Sequence, residues 1–332
     1  MQMRRFVSCV VFSLGFAAGH QAVADSSTAS ADGDDQIFIF PFFRHNGEHG
    51  VYLAWSEDGL HFKPLNNGRP VMSPAPWPGQ NLTRDPSIVH HDGLFRMVWT
   101  SNWGGRVFGV AESPDLKAWS EPRPVTPFPA SLPDDQQPRN VWAPEICWNP
   151  LDEHYYIVWS STLPGQDGHR MFVTRSPDLR TFSAAELFYD PGFNSIDGMM
   201  VLDRQGSESE ADWRWVMVFK DEREIPQGGK NLRLTTAPAD GAWSWAPSSE
   251  PITGPHSEVR PHEMGEGPAL LKRGDTWYLY WDAFASGHYS LATSGDLETW
   301  TDRTDELTMP SGHPRHGTVF RVPRAAVAEE LF

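Results

Sequence analysis

The sequence predicts an all-β fold, a five-bladed β-propeller whose ring closes where N-terminal strands join a C-terminal inner strand. Three observations carry this prediction. A Ser-x-Asp-Leu-x-x-Trp-like phrase begins at Ser56, Ser113, Ser176, a degraded copy at Ala237, and Ser294, with spacings of 57, 63, 61 and 57 residues. A period this regular marks a repeat architecture. A second phrase, one residue ahead of Pro or Gly and then an apolar run, opens each unit at Asp85, Ala143, Asp197, Glu266 and His316. Between opener and closer the runs are rich in β-branched and aromatic residues, with no long 3.6-residue period.

In chain order, Arg4 and Arg5, the apolar run 6–18 and Ala22-Val23-Ala24 match the charged, apolar and small-residue sections of a secretory signal. Residues 1–24 are therefore read as a signal peptide cleaved after Ala24, and the protein as exported, periplasmic or secreted. Residues 25–36, rich in Ser, Ala, Asp and Gly, read as a disordered leader. Residues 37–332 form one propeller domain. Strands are expected at 37–43, 51–55 and 62–64, completed by an inner strand over 316–322, so that both chain ends share one blade and no sheet edge stays open.

The next blades follow the same plan, with strands at 87–90, 95–100 and 107–112, then 145–148, 155–160 and 171–175. The last two have strands at 199–202, 213–219 and 231–236, then 269–271, 277–281 and 289–293, and each unit should hold about four. Trp119, Phe182, Trp243 and Trp300 occupy the same place in successive repeats and are assigned to packing between blades.

The net charge of −16, or −18 without Arg4 and Arg5, argues against nucleic acid or anionic membrane as a partner and suits a neutral substrate. No later stretch approaches the roughly 20 apolar residues of a membrane span. Of two cysteines, Cys9 lies in the signal, so Cys147 has no internal disulfide partner and stability must come from a core. The oligomeric state is not encoded in any of these features.

In a propeller the first strand of each blade lines the central channel, so Asp85, Asp197 and Glu266 converge although distant in sequence. Burying three carboxylates together is costly without compensation, and such an arrangement marks a functional site. Glycosidic hydrolysis needs one protonated carboxyl for the leaving oxygen and one carboxylate to activate water or attack the sugar.

Arg84-Asp-Pro-Ser-Ile88, Trp142-Ala-Pro-Glu145, Ser195-Ile-Asp-Gly198 and Glu266-Gly-Pro268, in that order, resemble the signature blocks of glycoside hydrolase family 43. The resemblance covers nearly the whole mature chain and implies a five-bladed propeller with an inverting mechanism. It implies Asp85 as general base, Asp197 as the carboxylate that tunes and orients the acid, and Glu266 as general acid. Gly198 departs from the Pro that many members carry after the central Asp.

The same resemblance makes His316 a channel histidine, which in some members helps hold a calcium ion or water. No cofactor is required; calcium in the channel through His316 is one option, and a neutral imidazole on structural water is preferred because no Asp-rich calcium loop is visible. Arg84, Trp103, Trp142, Glu145, Arg315 and His316 are taken as substrate contacts. The loops at 121–140 and 254–265 are expected to wall a pocket. The function expected is exo-acting removal of terminal α-L-arabinofuranosyl or β-D-xylosyl units from a carbohydrate. A β-D-galactofuranosidase and a non-catalytic carbohydrate-binding propeller are the alternatives.

Overall fold

The computed structural model describes residues 35–332. The signal peptide and residues 25–34 of the leader lie outside the described residues, and Gln36 already belongs to the first strand. Five antiparallel sheets follow one another. The first blade holds β1 (Gln36–Phe42), β2 (Tyr52–Ser56) and β3 (Lys63–Pro64) together with β19 (Phe320–Pro323) from the end of the chain, in the order β19-β1-β2-β3. The second holds β4 (Arg84–His91), β5 (Leu94–Thr100), β6 (Phe108–Ser113) and β7 (Arg123–Val125). The third holds β8 (Trp142–Asn149), β9 (His154–Ser161), β10 (Arg170–Ser176) and β11 (Glu186–Tyr189).

The fourth blade has three strands, β12 (Ser195–Asp203), β13 (Arg214–Asp221) and β14 (Asn231–Pro238). Its expected fourth strand is replaced by an irregular edge, where Ala246, Ser249 and Ile252 donate backbone N–H groups to Thr236, Leu234 and Leu232. Pro247 and Pro251 lack the N–H that a regular ladder would use. The fifth holds β15 (Glu266–Arg273), β16 (Thr276–Ala283), β17 (His288–Ser294) and β18 (Thr301–Asp302).

The core lies between blades. Successive side chains of a strand point to opposite faces. Met97 and Trp99 accordingly pack with Ile37, Ile39 and Leu53 of the first blade, whereas Val98 packs with Ile146, Ile157 and Trp159 of the third. The same alternation links Val158 to Trp215, Val216 to Leu279, and Tyr280 to Phe38 and Phe40. Trp119, Phe182, Trp243 and Trp300 pack against these inter-blade clusters. Second strands are thus buried on both faces, which is why residues 155–159 and 215–219 read as unbroken apolar runs.

The closing phrase is a turn between third and fourth strands. Asp115 Oδ1 accepts the N–H groups of Lys117 and Ala118; Asp178 does so from Arg180 and Thr181, and Asp296 from Glu298 and Thr299. Asp and Asn side chains make such local turns cheaply, so the repeat-wide Asp is structural.

The opening phrase is a β-bulge. Pairing shifts by one residue between Arg84 and Ser87, Trp142 and Glu145, Ile196 and Met199, and Glu266 and Ala269. At each bulge one residue takes a left-handed backbone: Asp85 (φ 51°), Ala143 (46°), Asp197 (58°) and Gly267 (56°). Bulges re-aim side chains at barrel and channel rims, and left-handed non-glycine residues cluster at functional sites.

This geometry corrects the register of the fifth unit. Gly267, not Glu266, is the equivalent of Asp85 and Asp197, and Glu266 takes the place of Arg84, opposite Asp282 in the ladder. Glycine is required at 267 because a Cβ there would lie 2.4 Å from the His316 ring.

Candidate active site

The bulged ends of the inner strands open into a cavity of about 420 Å³ lined by Arg84, Asp85, Trp103, Trp142, Asp197 and Glu266, together with Lys220, Glu222, Arg315 and His316. Asp85, Asp197 and Glu266 are therefore brought to one space. Asp85 and Asp197 are buried, while Glu266, one residue nearer the end of its strand, keeps part of its carboxyl exposed.

His316 sits under the carboxylates. Its Nδ1 lies 3.4 Å from Asp85 Oδ1 and 3.8 Å from Asp197 Oδ2, and its Nε2 lies 3.7 Å from Glu145 Oε1. Burial alone would push the imidazole pKa down, but Asp197, Asp85 and Glu145 outweigh it and raise it to about 10. This corrects the expectation of a neutral ring: at neutral pH His316 is an imidazolium, the cation that allows three carboxylates to face one channel. Glu145 lies on the ring's Nε2 side and does not line the cavity, so it is a partner of His316 and not a residue of the cavity wall. Burial raises the pKa of Glu145 against the opposing pull of His316.

Two further cations hold Glu266. Lys220 Nζ donates to Glu266 Oε2 at 3.0 Å and Arg315 Nη2 to Oε1 at 2.8 Å. Although burial opposes ionisation, Lys220, His316 and Arg315 hold the Glu266 carboxyl below its ordinary pKa. Asp197 goes the other way: burial, with help from Glu266 and Asp85, raises it to about 6 against His316 and Lys220. Asp197 Oδ2 accepts the Gly267 N–H at 3.0 Å, which ties it to the backbone next to Glu266. Arg315 is fixed in turn by Asp282, whose Oδ2 accepts Arg315 Nε at 2.6 Å and the His316 N–H at 3.1 Å.

The second wall is aromatic. Arg84 donates to Asn46 Oδ1 at 3.1 Å, with its guanidinium 4.6 Å from the Phe43 ring and 4.0 Å from the Trp103 ring. Trp103 is half exposed and donates to the same Asn46 oxygen at 2.8 Å. Trp142 donates to the Trp103 carbonyl at 2.7 Å and stacks on His169 at 4.7 Å. These contacts fix two indoles at the mouth, the arrangement that sugar rings use for stacking.

Lys220, Glu222 and Asp282 were not anticipated. They sit at or just after the ends of second strands, where no repeat-wide phrase marks them. Their signal is a charge closing an apolar run, in Val216-Met-Val-Phe-Lys220 and Tyr278-Leu-Tyr-Trp-Asp282. Neither long loop contributes a lining residue, contrary to expectation. Gln137 folds the first loop onto its own carbonyls of Pro129 and Leu132, and Glu263 pins the second to Trp281, His288 and Ser290. At Gly198 a Cβ would lie 2.4 Å from Met171 Sδ, so a larger residue there requires the Met171 side chain to move.

Calcium takes six to eight oxygen ligands, and among the described residues no group of three or more His, Cys, Asp and Glu side chains is placed to hold a metal ion. Both ring nitrogens of His316 face carboxylates that favour their protonated form, so the residues present do not fit calcium held through His316. Among the described residues no helix is long and apolar enough to cross a membrane.

Residues 35–328 match a family model described as a probable glycosyl hydrolase domain, related to glycoside hydrolase family 43. A comparison with curated proteins finds no match. Among solved structures, a thermostable family-43 glycoside hydrolase is similar at 18% identity and a TM-score of 0.54, over 70% of this chain and 78% of that one. A family-43 β-1,3-galactosidase with galactodeoxynojirimycin is similar at 12% identity and 0.52, over 70% and 79%. A xylan β-1,4-xylosidase from Bacillus halodurans is similar at 18% and 0.50, over 69% of this chain and 42% of that one. At these identities the likeness concerns the fold.

Proposed function

The chain belongs to the family of glycosyl hydrolase domains related to glycoside hydrolase family 43, and from that premise we propose an exported, inverting glycosidase that removes one terminal sugar from a carbohydrate chain. The observation that carries the proposal is the convergence of Asp85, Asp197 and Glu266 on one cavity under a single buried imidazolium.

In this reading Asp85 takes a proton from water as the water oxygen attacks the anomeric carbon, and Glu266 gives its proton to the departing glycosidic oxygen. The proton on Asp85 returns to solvent and Glu266 is reloaded. Asp197 holds the Gly267 N–H, and so the backbone that carries Glu266. Trp103 and Trp142 stack the sugar, and Arg84 and Arg315 fix its hydroxyls.

A cavity of about 420 Å³ is at the small end for ligand sites and favours exo action on a single terminal ring. The sugars proposed are α-L-arabinofuranose and β-D-xylose, with a galactosyl unit as competitor because a similar fold carries a β-1,3-galactosidase. Proton NMR during the first minutes of hydrolysis tests the mechanism: the sugar should appear first with the anomeric configuration opposite to the substrate's. Retained configuration would remove Asp85 from the role of general base.

A further inference from the structure

A general acid has to carry a proton when the sugar arrives, yet both oxygens of Glu266 are engaged by cations. The two cations are not equivalent. Arg315 is locked, because its Nε is held at 2.6 Å by Asp282, a buried carboxylate directly opposite Glu266 in the ladder. Lys220 is shared. Its Nζ lies 3.0 Å from Glu266 Oε2 and 2.8 Å from Glu222 Oε2, under the Phe284 ring at 4.5 Å.

Glu222 lines the same cavity and is itself steadied by Lys230 at 3.0 Å. A lysine ammonium is a compact charge on a flexible stem with three donors, able to change partners by a small rotation.

Resting on the reading of Glu266 as the acid, we propose that Lys220 is an exchangeable counter-ion, shared by Glu266 and Glu222 and drawn wholly onto Glu222 when the sugar enters, and that this exchange loads Glu266 with its proton. Lys220 and Glu222 are positioning residues in this scheme, since neither transfers a proton to the reacting atoms. With Lys220 on Glu222, Glu266 keeps only Arg315 as a directly bonded cation, and neighbouring Asp197 and Asp85 then favour its protonated form. The charged groups around Glu266 are Lys220 and Glu222 from β13 and the turn after it, and Arg315 and His316 ahead of β19. Asp282 on β16, Asp197 on β12 and Asp85 on β4 complete the set. The net direction at Glu266, below its ordinary pKa, agrees with the ion-pair geometry.

The test needs no substrate. Protein labelled with carbon-13 at the glutamate carboxyls is titrated by NMR, and the signal missing from Glu266→Gln identifies Glu266. Lys220→Met removes the counter-ion and should raise the Glu266 midpoint by about one pH unit or more, the usual effect of an opposite charge at this range. Glu222→Gln removes the competing anion, commits Lys220 to Glu266 and should lower the midpoint further. Opposite shifts show Lys220 divided between Glu266 and Glu222, the condition the exchange requires; a midpoint that Lys220→Met leaves in place, or that Glu222→Gln raises, overturns it.

If Lys220→Met does not fold, the direction in Glu222→Gln decides alone. A merely structural lysine would lower stability in both variants without moving the midpoint in opposite senses. If both shifts occur in a protein that hydrolyses no glycoside, the sharing of Lys220 stands and the glycosidase reading fails.

Discussion

Replacing His316 by Gln tests the charge balance on which the site depends. The imidazole titrates near 6.5 in an unfolded chain and at about 10 in the fold, because Asp197, Asp85 and Glu145 outweigh the cost of burial. A group whose pKa is raised by folding contributes stability that is fully present below the unfolded value and lost as pH rises through the folded one. Between these limits the loss is about 1.36 kcal/mol per pH unit, or about 2–3 kcal/mol from pH 8 to pH 10.

For a domain of this size, 1 kcal/mol corresponds to roughly 2 °C in Tm, so the wild type should lose about 4–6 °C over that interval through His316. The assay is thermal unfolding followed by circular dichroism from pH 8 to pH 10 in wild type and His316→Gln. Other groups titrate similarly in both, so the steeper wild-type slope isolates the imidazolium. Parallel curves would refute the account, because His316 would then be neutral and the three carboxylates would need another source of compensation.

Three other outcomes follow from the same geometry. Glu266→Gln and Asp85→Asn should each lower kcat by about 10²–10⁴-fold on an alkyl glycoside. Glu266→Gln should lose much less on a 4-nitrophenyl glycoside, whose leaving group needs little protonation; equal losses on both substrates would count against Glu266 as the acid. A chelator, or added calcium, should leave kcat and Tm unchanged, since the residues around His316 do not fit calcium; loss of activity on chelation, restored by calcium, would reverse that reading. Protein recovered from the exported fraction should begin at Asp25 by N-terminal sequencing, and an intact Met1 would contradict cleavage.

The fold was legible because the propeller repeats its turn chemistry. The Asp of each closing phrase recurs at a near-regular spacing and a residue ahead of Pro or Gly recurs at each opening bulge, and both are backbone devices that a sequence displays directly. The carboxylates were legible for the converse reason, as departures from a repeat. Aligning the openers by the residue ahead of either Pro or Gly misplaced Glu266 by one position, because in Glu266-Gly267-Pro268 two successive residues satisfy that rule. Asp85, Ala143 and Gly267 all precede proline, and that shared feature gives the register the bulges adopt.

Lys220 and Asp282 stayed hidden because a charge at the end of a buried strand has no periodic signature, and its partners come from other blades. The loops at 121–140 and 254–265 were assigned to the pocket wall on length and composition, neither of which says which way a loop folds. Their own anchors, Gln137 and Glu263, decide that.

The most direct test of the central claim is hydrolysis of a glycoside panel containing α-L-arabinofuranoside, β-D-xyloside, β-D-galactoside and β-D-galactofuranoside, each as 4-nitrophenyl and methyl derivatives. It compares the mature wild type with Asp85→Asn. The account predicts release of one sugar by the wild type and a loss of at least about a hundredfold in the variant. Equal hydrolysis by both proteins would contradict it, because the carboxylate placed against the imidazolium at the base of the cavity would then have no part in the reaction.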